Sequence, residues 1–259
     1  MARNTLLAFG IALVILSALS HAAEPPTSPS KPEHGNDARG VRDLKEVSDS
    51  NLQMLMIALH DYNNVHDHFP PAVVLGPDGK TPHSWRVEIL PFIEGPILER
   101  LGRPSHPYKD LYERYKLSEP WDGPSNKQLL AQMPDIFRSP TDPPRSTDTI
   151  YFALVGKGAI FDGPKGTPIA DINDGTFHTI LLVESKPSVP WTKPVDIAEK
   201  PLPKLGGLYA SGFSAVDAGG TRHLIPGDIR EAHLRALITR DGKELGFDFT
   251  PGWKLYTRP

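Results

Sequence analysis

The chain contains no cysteine among its 259 residues. That absence excludes disulfides, thiolate zinc sites, cysteine nucleophiles and lipid attachment at a cysteine. Charge is also in short supply: the formal net charge is −3, with 28 basic against 31 acidic residues. A basic nucleic-acid-binding footprint is therefore excluded. No internal repeat is present, and no apolar run reaches the roughly 20 residues that span a bilayer as a helix. Proline is abundant instead. The 28 prolines and 22 glycines make up about a fifth of the chain, below the roughly 25–30% at which disorder becomes the expected state. Short elements and long connections are expected.

Residues 1–22 read as a secretory signal. Arg3 precedes the apolar run from Leu6 to Leu19, and small residues follow at Ser20, Ala22 and Ala23. Cleavage is expected between Ala22 and Ala23, giving an exported mature chain of about 237 residues. The alternative is an uncleaved N-terminal tether. Residues 23–40, with prolines at 25, 26, 29 and 32 and nothing aliphatic larger than alanine, cannot bury enough apolar area to offset ordering entropy. They read as a disordered linker to a single domain over 41–259.

That domain opens with a helix. Val41, Leu44, Ser48, Leu52, Leu55, Leu59, Tyr62 and His66 recur every three or four residues. Ser48 is the one polar break in the stripe before its end, and Phe69-Pro70-Pro71 closes it. The stripe widens toward its end, which predicts that mainly the C-terminal half is packed. Ala72–Leu75 and the Gly76-Pro77-Asp78-Gly79 turn predict a short hairpin. Helical signals between Ser84 and Met133 are interrupted by proline, with Ser125 as an expected N-cap. Strands are predicted over 149–155, 178–184, 212–216 and 222–225, and a last helix over 228–242 with an Asp228/Glu231 capping box. Helix first, sheet later and a closing helix make an α+β fold.

Several clusters bear on chemistry. His60, His66 and His68, with Asp61 and Asp67, are of metal-binding type. Six residues nevertheless separate the first two by about 240° around a helix, so a polar helix end is the expected role. Asp171-Ile-Asn-Asp-Gly-Thr176 suggests a calcium loop. Glycine falls at position five, however, and Leu182 occupies position twelve, so a tight turn ending in Asp174-Gly175 is expected. Gly212-Phe-Ser-Ala-Val216 lacks the second glycine of a nucleophile elbow and reads as a strand. No catalytic residue, cofactor site or metal site is assigned. Trp85, beside Arg86, and Trp121, beside Asp122, sit on loops, as does Trp191 between prolines. Such tryptophans either seal a core beneath irregular loops or form a ligand-stacking surface. The core role is the expected one.

Taken together, the ordered strings are those of a known family. They include Ala58-Leu-His-Asp-Tyr62, Phe69-Pro-Pro-Ala72, Ser84-Trp-Arg-Val87, Leu90-Pro-Phe-Ile-Glu94 and Glu119-Pro-Trp-Asp122. They continue through Arg138-Ser-Pro-Thr-Asp-Pro143, Asp171–Thr176, Val183-Glu184 and Val189-Pro-Trp-Thr-Lys-Pro194, and end at Leu234–Arg240. The chain resembles the bacterial family of unknown function 1559, also called solute-binding-protein-like. The resemblance implies a pilin-like plan, an N-terminal helix on an antiparallel sheet, with export and no established enzymatic activity. Three departures stand out. The prepilin motif Gly-Phe-Thr-Leu-x-Glu is absent, Ser139-Pro140 replaces a frequent Cys-Pro, and the histidine that often precedes a late Asp-Gly by nine residues has no counterpart. The expected role is an exported, non-enzymatic interaction or structural domain of the cell envelope. The alternative is an extracytoplasmic ligand-binding module, with an envelope-polymer hydrolase a third option. The expected partner is an envelope protein or a small ligand.

Overall fold

The computed structural model describes residues 38–93, 108–242, 244–248 and 254–257. The expected signal peptide with its Ala22/Ala23 junction, almost all of the linker, and the segment around Ile97 and Leu101 lie outside the described residues.

Helix α1 runs from Ala38 to His66, so the helix begins three residues inside the stretch expected to be linker. Its buried side chains begin at Ser48 and continue through Leu52, Leu55, Met56, Ala58, Leu59 and Tyr62. The widening stripe thus packs where the pattern broadens. Asp67 ends the helix in the left-handed region at φ 65°, donating its N–H to the Asn63 carbonyl at 2.8 Å. The chain then forms the hairpin β1 (Val73–Leu75) and β2 (Pro82–Ser84), closed by Asp78, which accepts from the amides of Lys80 and Thr81.

Short helices follow: α2 (Trp85–Glu88), α3 (Lys109–Arg114) and α4 (Pro124–Leu129). Ser125 is not the cap of α4. Gly123 holds that position and Pro124 starts the helix, where a missing N–H costs nothing. Ser125 is used elsewhere, donating its N–H and Oγ to the Glu119 carboxylate.

A five-stranded sheet carries the second half, in the order β5-β3-β4-β6-β7. Its strands are β3 (Asp148–Val155), β4 (Ile180–Pro190), β5 (Ile197–Ala198), β6 (Phe213–Asp217) and β7 (Arg222–Ile225). All neighbours are antiparallel except β5, which pairs parallel to β3 at the edge. Helix α5 (Glu231–Ile238) follows. The expected capping box is absent: Arg230 occupies the N-cap without a side-chain bond. A two-stranded ribbon, β8 (Glu244–Asp248) and β9 (Lys254–Thr257), comes last.

Both faces of the sheet are covered. On one, Leu52, Leu55 and Leu59 of α1 share a core with Tyr151, Leu181, Leu182 and Val216. On the other, Phe152, Leu154, Val183, Phe213 and Ala215 pack with Leu234, Leu237 and Ile238 of α5. A strand buried on both faces reads as a continuous apolar run, which explains Ile180-Leu-Leu-Val183. The register shift between Ile180 and Leu182 puts Leu181 and Leu182 into the same core. Gly212 stands where β6 begins beside the end of β7. Its φ is +137°, and a Cβ there would lie 2.0 Å from the Ile225 carbonyl oxygen, so glycine is required.

The tryptophans divide. Trp85 and Trp191 are wholly buried, whereas Trp121 is half-buried. Trp191 stacks on Phe137 at 5.6 Å between ring centroids and donates Nε1–H to the Leu130 carbonyl at 3.1 Å. Truncating such a residue to alanine typically costs about 3–5 kcal/mol. Chemical denaturation of Trp191→Ala should therefore show a loss on that scale, with Trp121→Ala much closer to the exposed control Lys165→Ala. A Trp191→Ala midpoint matching the control would refute its role in the core.

Candidate functional site

Two buried polar centres organise the domain. The first forms around Arg86, placed by Ser84, whose Oγ accepts the Arg86 amide as the N-cap of α2. The guanidinium is fully buried, yet its donors are matched. Nε and Nη2 donate to the Tyr151 carbonyl at 3.1 and 2.7 Å, and Nη1 donates to Ser84 Oγ at 3.0 Å. Nη2 also meets Asp196 Oδ1 at 2.8 Å. Asp196 in turn accepts from Trp85 Nε1 at 3.2 Å and the Ala153 amide at 2.8 Å. A buried ion pair is tolerated when its remaining bonding capacity is filled in this way.

The same connection between β4 and β5 touches Trp85, Trp121 and Trp191. Trp191 lies within it, Lys193 Nζ sits 5.8 Å from the Trp121 ring centroid, and Asp196 binds Trp85. Asp122 is exposed. The Trp121 loop is held by Asn126, which donates Nδ2 to the carbonyls of Lys116, Glu119 and Pro120. Trp85, Arg86 and Trp191 are thus brought into the interior. Asp174 belongs elsewhere: its Oδ2 accepts the Gly242 amide at 2.6 Å and its own amide donates to the Arg240 carbonyl. The expected tight turn is present, closed by the Gly175 amide donating to the Ile172 carbonyl at 3.1 Å and flanked by two 3-10 turns. Among the histidines, a nitrogen of His60 bonds the Ala218 carbonyl and one of His68 bonds the Phe69 carbonyl. His66 stacks on Tyr62 at 4.1 Å.

The second centre lies between α1 and the sheet. Glu184 of β4 is fully buried. Its Oε1 accepts the Ser214 amide at 2.7 Å, and its Oε2 makes a very short bond from Ser48 Oγ. Ser48 also meets the Tyr151 hydroxyl at 3.1 Å, which accepts from Asn51 Nδ2 at 3.1 Å. The polar break in the α1 stripe is therefore the group that meets the only carboxylate on β4. Asp49 comes next, its Oδ2 held by Lys45 Nζ at 2.5 Å. Removal from water holds the Glu184 carboxyl above its ordinary range, with the Ser48 and Ser214 bonds opposing and Asp49 adding to the rise.

Tyr209 connects this centre to the surface. Its hydroxyl is buried near Ser48, Glu184 and Asp49, while its other side lines a cavity of about 480 Å³ with Lys204, Gly206, Gly207, Ala210, Ser211, Gly212 and Asp228. A second cavity of about 250 Å³, containing Leu202, Phe213, Ile229, Glu231 and Leu234, shares Lys204, Leu205 and Gly227 with it. The two form one groove between residues 202–212 and the start of α5. Sequence reasoning did not find Ser48, Glu184, Asp196 or Tyr209 as site residues. Ser48 as the sole polar break and Glu184 ending an apolar strand were the available signals.

The raised Glu184 carboxyl has a definite pH consequence. A carboxyl whose folded value exceeds its unfolded value contributes stability below the unfolded value, and this is lost as pH rises through the folded one. In metal-free buffer, Glu184→Gln should therefore gain stability relative to the parent as pH rises above about 4.5. The gain is limited to about 1.4 kcal/mol per pH unit for one proton. A stability difference independent of pH would contradict the assignment.

A family model matches residues 47–164 and carries the description "Protein of unknown function (DUF1559)", under the name SBP_bac_10. The matched segment holds Ser48, Trp85, Arg86, Trp121 and Tyr151, while Glu184, Trp191, Asp196 and Tyr209 lie beyond it. No curated protein and no solved structure matches the chain. Over the segment from Val47 to Pro164, which includes Ser-Trp-Arg at 84–86, the chain is similar to the DUF1559 family.

Proposed function

We propose that this protein is an exported, non-catalytic binding domain of the cell envelope that takes a small polar solute in the groove beside Tyr209. The observation that carries this reading is the groove itself. Its larger part, about 480 Å³, falls within the roughly 300–1,000 Å³ of small-molecule sites. Its walls combine apolar surface from Leu205, Phe213, Ile229 and Leu234 with the charged groups of Lys204, Asp228 and Glu231. Burial of Trp85 and Trp191 argues against stacking of a ligand on those rings. Ser214, the nearest approach to a nucleophile motif, is fully buried in β6, which favours a non-catalytic role. The N-terminal signal favours export, and none of the described helices is long and apolar enough to cross a membrane. A second reading, a pilin-like structural subunit, is favoured by Val47 and Val65, which stay 49% and 66% exposed on α1.

Ala210 is exposed at the groove, so Ala210→Trp should obstruct it without disturbing the core. In a thermal-shift panel of small sugars, amino acids and short peptides, at least one class should raise the parent's midpoint. Ala210→Trp should lose that shift while keeping the ligand-free midpoint. A panel that leaves the parent unmoved, or a variant that keeps the full shift, would defeat the binding reading. Export is tested by the mass of the mature N-terminus, expected at Ala23; a chain starting at Met1 would contradict it.

A further inference from the structure

The groove beside Tyr209 carries two charges of opposite sign that the fold leaves unused. Lys204 stands on the 202–212 side and Asp228 on the side leading into α5, and both line the larger cavity of about 480 Å³. Both side chains are exposed. Among the described residues neither comes within 4.0 Å of an opposite charge, so they do not close on each other across the cavity. Glu231, which lines the adjoining cavity, is already engaged. Arg235 donates to its Oε1 from Nε at 2.9 Å and from Nη2 at 2.7 Å. Among the described residues, the groove thus presents one free ammonium and one free carboxylate.

Its backbone is unused as well. Gly207, Ala210 and Ser211 on one side and Gly227 on the other line the same cavity. Among the described residues, none of their N–H and C=O groups takes part in a hydrogen bond. Peptide donors and acceptors left open along a groove suit a ligand that itself carries amides and charged termini. The smaller cavity, of about 250 Å³, differs in character. Leu202, Phe213, Ile229 and Leu234 give it apolar walls, and it meets the larger one at Lys204, Leu205 and Gly227.

We propose that the ligand of this groove is a short zwitterionic peptide with an apolar side chain. Lys204 pairs with its terminal carboxylate, Asp228 pairs with its terminal ammonium, and the apolar side chain enters the smaller cavity. The inference rests on the groove being a binding site, as proposed above, and adds the class of the ligand. A sugar brings no charge for either side chain. A simple anion or cation satisfies one and leaves the other. A free amino acid has both charges but no amide for the open peptide groups. Because both protein charges are solvent-exposed, each pairing contributes about two- to fivefold in affinity. Filling the apolar cavity contributes more, roughly tenfold or above.

Isothermal titration calorimetry of the full chain at neutral pH tests this with five probes. They are leucyl-leucine, leucyl-leucinamide without the carboxylate, N-acetyl-leucyl-leucine without the ammonium, glycyl-glycine and glucose. The parent should bind leucyl-leucine about two- to fivefold more tightly than either blocked form, and roughly tenfold or more above glycyl-glycine. Lys204→Gln should bind leucyl-leucine and its amide equally while still disfavouring the acetylated form, and Asp228→Asn should do the reverse. Each variant is read by the loss of one discrimination only, which a general disturbance of the fold does not produce. The proposal is overturned if leucyl-leucine does not bind, or if both variants discriminate as the parent does. If leucyl-leucine fails but glucose binds, and Ala210→Trp abolishes that binding, the groove reading stands and the peptide class alone falls.

Discussion

The pairing of Arg86 with Asp196 is the constraint on which the other contacts converge. Arginine cannot shed its charge, so burying it is tolerable only if every donor finds an acceptor. Here those acceptors come from three parts of the chain: Ser84 beside it, the Tyr151 carbonyl on β3, and Asp196 ahead of β5. Satisfying one side chain therefore fixes the hairpin-to-helix junction against the sheet. It also sets the path of residues 190–197, because Asp196 accepts from both Trp85 and the Ala153 amide. With that path set, Trp191 reaches Phe137 and Lys193 reaches Trp121.

Glu184, the cross-strand partner of Tyr151, obeys a related rule with a different outcome. Among the described residues, Glu184 meets Ser48 and Ser214 rather than a guanidinium. A carboxylate in such surroundings must take a proton or a cation, or be relieved by water. Its position between α1 and β6 makes the attachment of the helix depend on which of these it takes.

Much of this architecture was legible in the sequence, for stated physical reasons. The 3.6-residue stripe from Leu52 to Tyr62 marks a packed helix, and the run at 180–183 marks a strand buried on both sides. Turn chemistry located the hairpin at Gly76–Gly79. Caps were less legible: Ser125 and Asp228 have the right chemistry, but Glu119 claims the first, and the second lies ahead of a helix that starts three residues later. The parallel pairing of β5 was invisible, because two residues carry no periodicity. The site was legible only in fragments. Ser48 and Glu184 are 136 residues apart, and nothing local to either shows that they meet. Asp196 looked like an ordinary loop aspartate, since its partner lies 110 residues away.

A double-mutant cycle on Arg86 and Asp196 tests the central claim most directly. Arg86→Met and Asp196→Leu each leave a charge buried without its partner, and removing one member of such a pair typically costs about 3–5 kcal/mol. Removing both leaves neither charge behind. Equilibrium denaturation should therefore show the double variant losing clearly less than the sum of the single losses. If the single losses add in full, or if either single variant is as stable as the parent, the pair is not what holds these segments together.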